Sequence, residues 1–210
     1  MACEGALSRH PLSGYRRSVC NEVRRIVALG QIREDFSAIR IPLRFPEGAP
    51  NLAPLESIRI TDPAAIVRLD GEGQTELVQR RWSWPGPAGK PVFNMRSEGR
   101  SFASGRCLIV VDGFYEHSAP ADPSARRKDK WLFTRADGAW FCIAGLWRKS
   151  DVGEAFTMLT AEPCPDVAPY HNRQIVVPER RDWSSWLDPA VPAGEVLRPS
   201  AAGTFVVEKV

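Results

Sequence analysis

The sequence predicts a single α+β domain with a largely antiparallel sheet and few helices. Three observations carry this. Short apolar runs rich in Val, Ile, Phe and Trp recur along the chain, separated by Gly, Pro, Asp and Asn, the pattern of strands and turns. Few stretches have helical spacing. The length, 210 residues, suits one core that need not split, and no linker or internal repeat divides it. Hydrophobic residues are 43% and charged ones 25%, ordinary for a globular protein. No apolar run approaches the ~20 residues that span a bilayer, so a membrane partner is not expected.

Taken in order, residues 1–18 lack the apolar centre of a signal peptide. Pro11 and Gly14 interrupt any helix there, so a disordered leader is expected, with one domain over 19–210. Val23, Ile26, Val27, Leu29, Ile32, Phe36 and Ile39 recur at helical spacing, which predicts a helix from Glu22 or Arg24 to a point before Pro42. Prolines from Pro42 to Pro54 mark an extended passage. Strands follow at 57–60 and 65–69, the second forming a hairpin with 75–78 through Asp70-Gly71-Glu72-Gly73. Further strands are expected at 108–111, 131–134, 140–144, 156–160, 175–177 and 205–207, with a short helix at 181–187. The turn Ala136-Asp137-Gly138 predicts a hairpin between the strands at 131–134 and 140–144. Residues 119–130 read as an exposed loop.

The net charge is only +3, which permits a basic groove without announcing one. Arginines come in pairs, at Arg16-Arg17, Arg24-Arg25, Arg80-Arg81, Arg126-Arg127-Lys128 and Arg180-Arg181. Their planar forks suit phosphate, although a solvated face explains most such pairs. The five cysteines form no CxxC pair and no metal-ligand spacing with the histidines. No metal or organic cofactor is therefore indicated, and an odd count without a signal argues for reduced thiols in a cytoplasmic setting. Cys107 and Cys142 sit inside apolar runs and read as inert core residues.

Four pieces carry candidate chemistry: Cys20, Asn94-x-Arg96-x-Glu98, Glu116 at a strand end, and His171-x-Arg173. Alternation puts Asn94, Arg96 and Glu98 on one face of an extended segment, equally a polar outer face. Glu116 read alone is a turn residue, and His171 a loop histidine with His117 as a competitor. In order along the chain, Cys20-Asn21, Asn94-Met95-Arg96-Ser97-Glu98, Asp112-Gly113-Phe114-Tyr115-Glu116 and His171-Asn172-Arg173 resemble the SRAP family (SOS response-associated peptidase). The resemblance runs from Val19 to about Pro189 and implies a barrel-like central sheet.

The resemblance also implies covalent capture of abasic sites in single-stranded DNA, with no membrane and no obligate protein partner. Carried over, Cys20 is the nucleophile, Asn94 orients it, Arg96 holds a phosphate, and Glu116 and His171 move protons. Arg24, Pro54, Trp82 and Arg173 would line the DNA path, with exposed Trp82 or Trp84 stacking bases. An N-terminal cysteine offers an amine of pKa about 8 and a thiol, which together close on an aldehyde as a thiazolidine. Here Cys20 follows nineteen residues, so its nitrogen is an amide. Two routes would free it: initiation at a GTG codon for Val19, or self-cleavage of the leader. Gln174-Ile175 and His117 also depart from the family pattern. The competing readings are a self-processing cysteine peptidase and a non-catalytic nucleic-acid-binding module.

Overall fold

The computed structural model describes residues 19–122 and 124–210; the expected leader, residues 1–18, lies outside the described residues. Strand β1 (Glu22–Arg25) is followed by helix α1 (Leu29–Ala38), then β2 (Leu55–Arg59), β3 (Pro63–Leu69) and β4 (Thr75–Trp82). A small ribbon, β5 (Trp84–Pro85) with β6 (Pro91–Val92), leads to β7 (Asn94–Arg96). The second half holds β8 (Arg106–Val111), β9 (Gly113–Ser118), β10 (Asp129–Arg135), β11 (Phe141–Ser150), β12 (Gly153–Ala161) and β13 (Gln174–Ile175). Helices α2 (Trp183–Leu187) and α3 (Ala193–Val196) precede the last strand, β14 (Phe205–Lys209). No helix among the described residues is long and apolar enough to cross a membrane.

The pairings β11–β8–β3–β4–β12–β11 close a ring, so these five strands form a barrel without free edges. All its pairings are antiparallel except β4 with β12. β7 extends the wall by pairing in parallel with β12, and β13 adds antiparallel to β12. A second sheet, ordered β14-β10-β9-β1-β2, is antiparallel throughout. Between the sheets lies a core of Val23, Ile66, Trp82, Ile109, Phe114, Phe133, Ile143 and Phe156, and Cys20 belongs to it. A second apolar cluster seats α1 and α2, with Phe36 4.7 Å from Trp183 between ring centroids.

The hairpin read from Asp70-Gly71-Glu72-Gly73 is present: Leu69 pairs with Thr75. The Asp70 carboxylate accepts N–H bonds from Glu72 and Gln74 at 2.9 and 2.8 Å, an Asx-type turn, and Gly73 takes a φ of 76°. Two expectations are corrected. The predicted first helix is a strand followed by a shorter helix: Val23 pairs with both Ile58 and Phe114. The Asp112 carboxylate then accepts the N–H groups of Ile26 and Val27, holding them outside α1. The predicted hairpin at 131–144 does not form. Its turn exists, but β10 pairs with β9 and β14 while β11 pairs with β8 and β12. The turn carries the chain from one sheet to the other.

Candidate functional site

The site grows from the first residues of the second sheet. Glu116 lies within β9 rather than at a turn, and its side chain is 2% exposed. Its Oε1 accepts the backbone N–H of Cys20 at 2.8 Å. Cys20, just before β1, is buried with a φ of 24°, a backbone region that non-glycine residues adopt only under constraint. Asn94, opening β7, supplies that constraint from the other wall. Its Nδ2 donates to the carbonyl of Cys20 at 3.1 Å and to the carbonyl of Val19. The Asn94 Oδ1 is buried without a hydrogen-bond partner. Strands far apart in sequence thus hold both sides of one peptide bond, Val19–Cys20.

The electrostatics follow from burial. Desolvation pushes the Glu116 carboxyl up to about 8, against the lowering effect of N–H bonds from Cys20 and His117. Burial, reinforced by Glu116, pushes the Cys20 thiol well above its ordinary value. The Sγ points to the carbonyl of Glu22 at 3.5 Å. This thiol is kept protonated, unlike the low-pKa cysteines of thiolate chemistry. His117 reaches Glu116 through its backbone N–H. Its ring lies on the other face with Lys130, and burial first, then the Lys130 charge, pushes it below its ordinary value.

His171 is buried, and its Nδ1 accepts the backbone N–H of Arg173 at 3.1 Å. Arg173 pairs with Glu98 and also donates to the carbonyl and hydroxyl of Thr160 at 2.9 and 3.1 Å. These bonds join His171-x-Arg173 to the Asn94 segment, since Thr160 pairs with Arg96 in the ladder. Arg96 is exposed, and Pro54 is exposed in a loop whose Leu52 and Ala53 carbonyls accept from Arg25. Arg24 is held at Nε by Asp112 at 3.0 Å.

Trp82 and Trp84 correct the expectation of exposed stacking platforms. Trp82 is fully buried, stacked on Phe156 at 6.3 Å, with its indole N–H donated to the carbonyl of Phe93 at 2.9 Å. Trp84 is 5% exposed under the guanidinium of Arg148. The half-buried aromatics near the site are others: Trp131, directly opposite Glu116 in the β9–β10 ladder, and Tyr170, next to His171. Their ring centroids are 4.7 Å apart. Asp112 is named in the sequence only as the first residue of the Asp112–Glu116 motif, without the positioning role the fold gives it. Gly113 has its own constraint: a Cβ there would meet Leu132 Cδ1 at 2.8 Å. Cys107 and Cys142 are buried with thiols raised by desolvation, as their apolar runs suggested. Among the described residues no cluster of His, Cys, Asp and Glu could hold a metal ion.

A barrel-like α+β domain that buries a cysteine against a carboxyl on one sheet and an amide on the other defines the class. The family model of the SOS response associated peptidase (SRAP) matches residues 20–210, and the chain belongs to this family. Membership attaches it to the SOS response to DNA damage. The fold is similar to crystal structures of a protein from Bordetella bronchiseptica (23% identity, TM-score 0.65, covering 91% of this chain and 99% of that one) and of a protein from Bacteroides thetaiotaomicron (14%, 0.70, 91% and 92%). It is also similar to that of a phage-related protein of Bordetella bronchiseptica (19%, 0.69, 91% and 94%). None of the curated proteins matches the chain.

Proposed function

We propose that the protein captures abasic sites in single-stranded DNA through the amine and thiol of Cys20, in a form whose chain begins at that residue. The observation that carries this reading is the 2.8 Å bond between Cys20 N and Glu116, a carboxyl raised to about 8. In the full chain the nitrogen is an amide; in the working form the same atom stands for the α-amine. A carboxyl of that proton affinity suits an amine of pKa about 8. The amine adds to the ring-opened sugar aldehyde, Glu116 donates the proton with which the hydroxyl leaves as water, and the nitrogen proton of the resulting iminium returns to Glu116, giving an imine. The Cys20 sulfur then bonds to the imine carbon and its proton passes to the nitrogen, closing a thiazolidine. The raised thiol pKa fits this order, in which the amine acts first. Asn94 holds the Cys20 carbonyl, and His171 is the second candidate proton carrier. Single-stranded DNA brings the baseless sugar in without the cost of unstacking a duplex. Arg24 and Arg96 would meet phosphates, and Trp131 with Tyr170 would stack a neighbouring base.

The test compares the chain as written with one starting Met-Cys20, mixed with an abasic oligonucleotide and read by intact mass. A covalent adduct, minus one water, is expected on the short form and lost in Cys20→Ala. Absence of an adduct on every form with a free Cys20 amine would overturn the reading.

A second reading has its own observation: both atoms of the Val19–Cys20 peptide bond are gripped, the carbonyl by Asn94 and the nitrogen by Glu116. Cys20 Sγ would attack the Val19 carbonyl and the C–N bond would break as Glu116 protonates the nitrogen. Water would then hydrolyse the thioester. Loss of residues 1–19 from the purified chain, blocked in Cys20→Ala, is the expected outcome.

A further inference from the structure

One strongly charged segment lies outside this site. The loop joining β9 to β10 carries Arg126, Arg127 and Lys128 in succession, all exposed and none paired with a carboxylate among the described residues. The acids beside them have other partners. Asp122 accepts from the N–H and hydroxyl of Ser124 at 2.8 and 2.7 Å. Asp129 accepts from Ala121 N at 3.1 Å and pairs with Lys209 at 2.8 Å. Three adjacent like charges repel one another, and no carboxylate among the described residues neutralises them; an external polyanion would.

The ladder fixes where this loop stands. Glu116 pairs with Trp131, His117 with Lys130 and Ser118 with Asp129, so the loop is rooted two residues beyond Glu116. At about 3.4 Å per strand residue that is roughly 7 Å.

We propose that residues 126–128 hold phosphates of the same DNA strand that enters the Cys20 site, a few nucleotides from the captured sugar. The inference rests on the DNA reading above and adds a second, electrostatic contact point that sets how much flanking strand the protein needs. The experiment measures the salt dependence of reversible binding to a long single-stranded oligonucleotide, for wild type and for Arg126→Gln/Arg127→Gln/Lys128→Gln. Removing three phosphate contacts lowers the slope of log K against log salt by about 2, at ~0.7 per charge on single strands. Arg126→Lys/Arg127→Lys keeps the wild-type slope, because charge is what matters. Capture of 2-deoxyribose 5-phosphate, an aldehyde sugar with no flanking strand, is unchanged in the triple variant. A slope equal to wild type, or a loss of capture that is as large on the lone sugar phosphate, overturns the proposal. If the wild type captures nothing, the slope still decides the role of the loop.

Discussion

Glu116 and Glu22 both expose little surface, 2% and 6%, in neighbouring strands of one sheet, yet their carboxyls shift in opposite directions. Glu22 faces cations. Its Oε1 accepts from Lys130 Nζ at 2.9 Å and Ser57 Oγ at 2.6 Å, with Arg59 at 3.7 Å. Lys130 in turn lies 3.9 Å above the Tyr115 ring. Burial alone raises the Glu22 carboxyl, but the bonds from Ser57 and Lys130 outweigh it and hold it below its ordinary value. Glu116 meets only backbone N–H groups and rises to about 8. Depth raises both carboxyls, and the presence or absence of a cationic or hydroxyl partner decides which way each ends.

The comparison can be broken in order of expected effect. Glu116→Gln should slow adduct formation by roughly 10²–10⁴-fold, the usual contribution of a positioned acid–base group; an unchanged rate would remove Glu116 from the chemistry. Glu22→Gln should leave capture within a few-fold and destabilise the fold at pH 7 by about 1–3 kcal/mol, through weakened bonds from Lys130 and Ser57. Urea unfolding reads this directly.

The pH dependences of these two variants should run oppositely. Glu116 binds its proton more tightly folded than unfolded, so it contributes most below its ordinary 4.5 and loses that contribution as pH rises to about 8. Glu116→Gln should therefore gain on wild type between those values. Glu22, held low, contributes above its ordinary value and loses it as pH falls, so Glu22→Gln should approach wild type in acid. Lys130→Met sharpens the contrast by removing the cation: the Glu22 carboxyl titration, followed by carbon NMR, should move upward. Last, Trp131→Ala should weaken single-stranded DNA binding by about 1–3 kcal/mol, the worth of one stacked base. Trp82→Phe should change stability more than binding.

Cys20, Asn94 and Glu116 are weak signals one by one; the order of their motifs, through the family resemblance, names them together, and the fold joins them by direct hydrogen bonds. The burial of Trp82 was not legible, since an aromatic beside arginines fits an exposed groove as well as a core. Nor was β1: Val23, Ile26 and Val27 satisfy a helical period, and only the side chain of Asp112, some ninety residues on, holds the N–H groups of Ile26 and Val27. The Asp137-Gly138 turn misled for a similar reason. A turn signal says that the chain bends, while strand partners are set by distant residues.

The position of β1 has a mechanical consequence. It is flanked on both sides, by β2 through Glu22, Val23 and Arg25 and by β9 through Val23 and Arg24. A tether attached at residue 20 and drawn along the strand loads these hydrogen bonds in shear, all at once, instead of peeling them one by one. A DNA end fixed to Cys20, as proposed, would thus pull along β1 against both of its ladders.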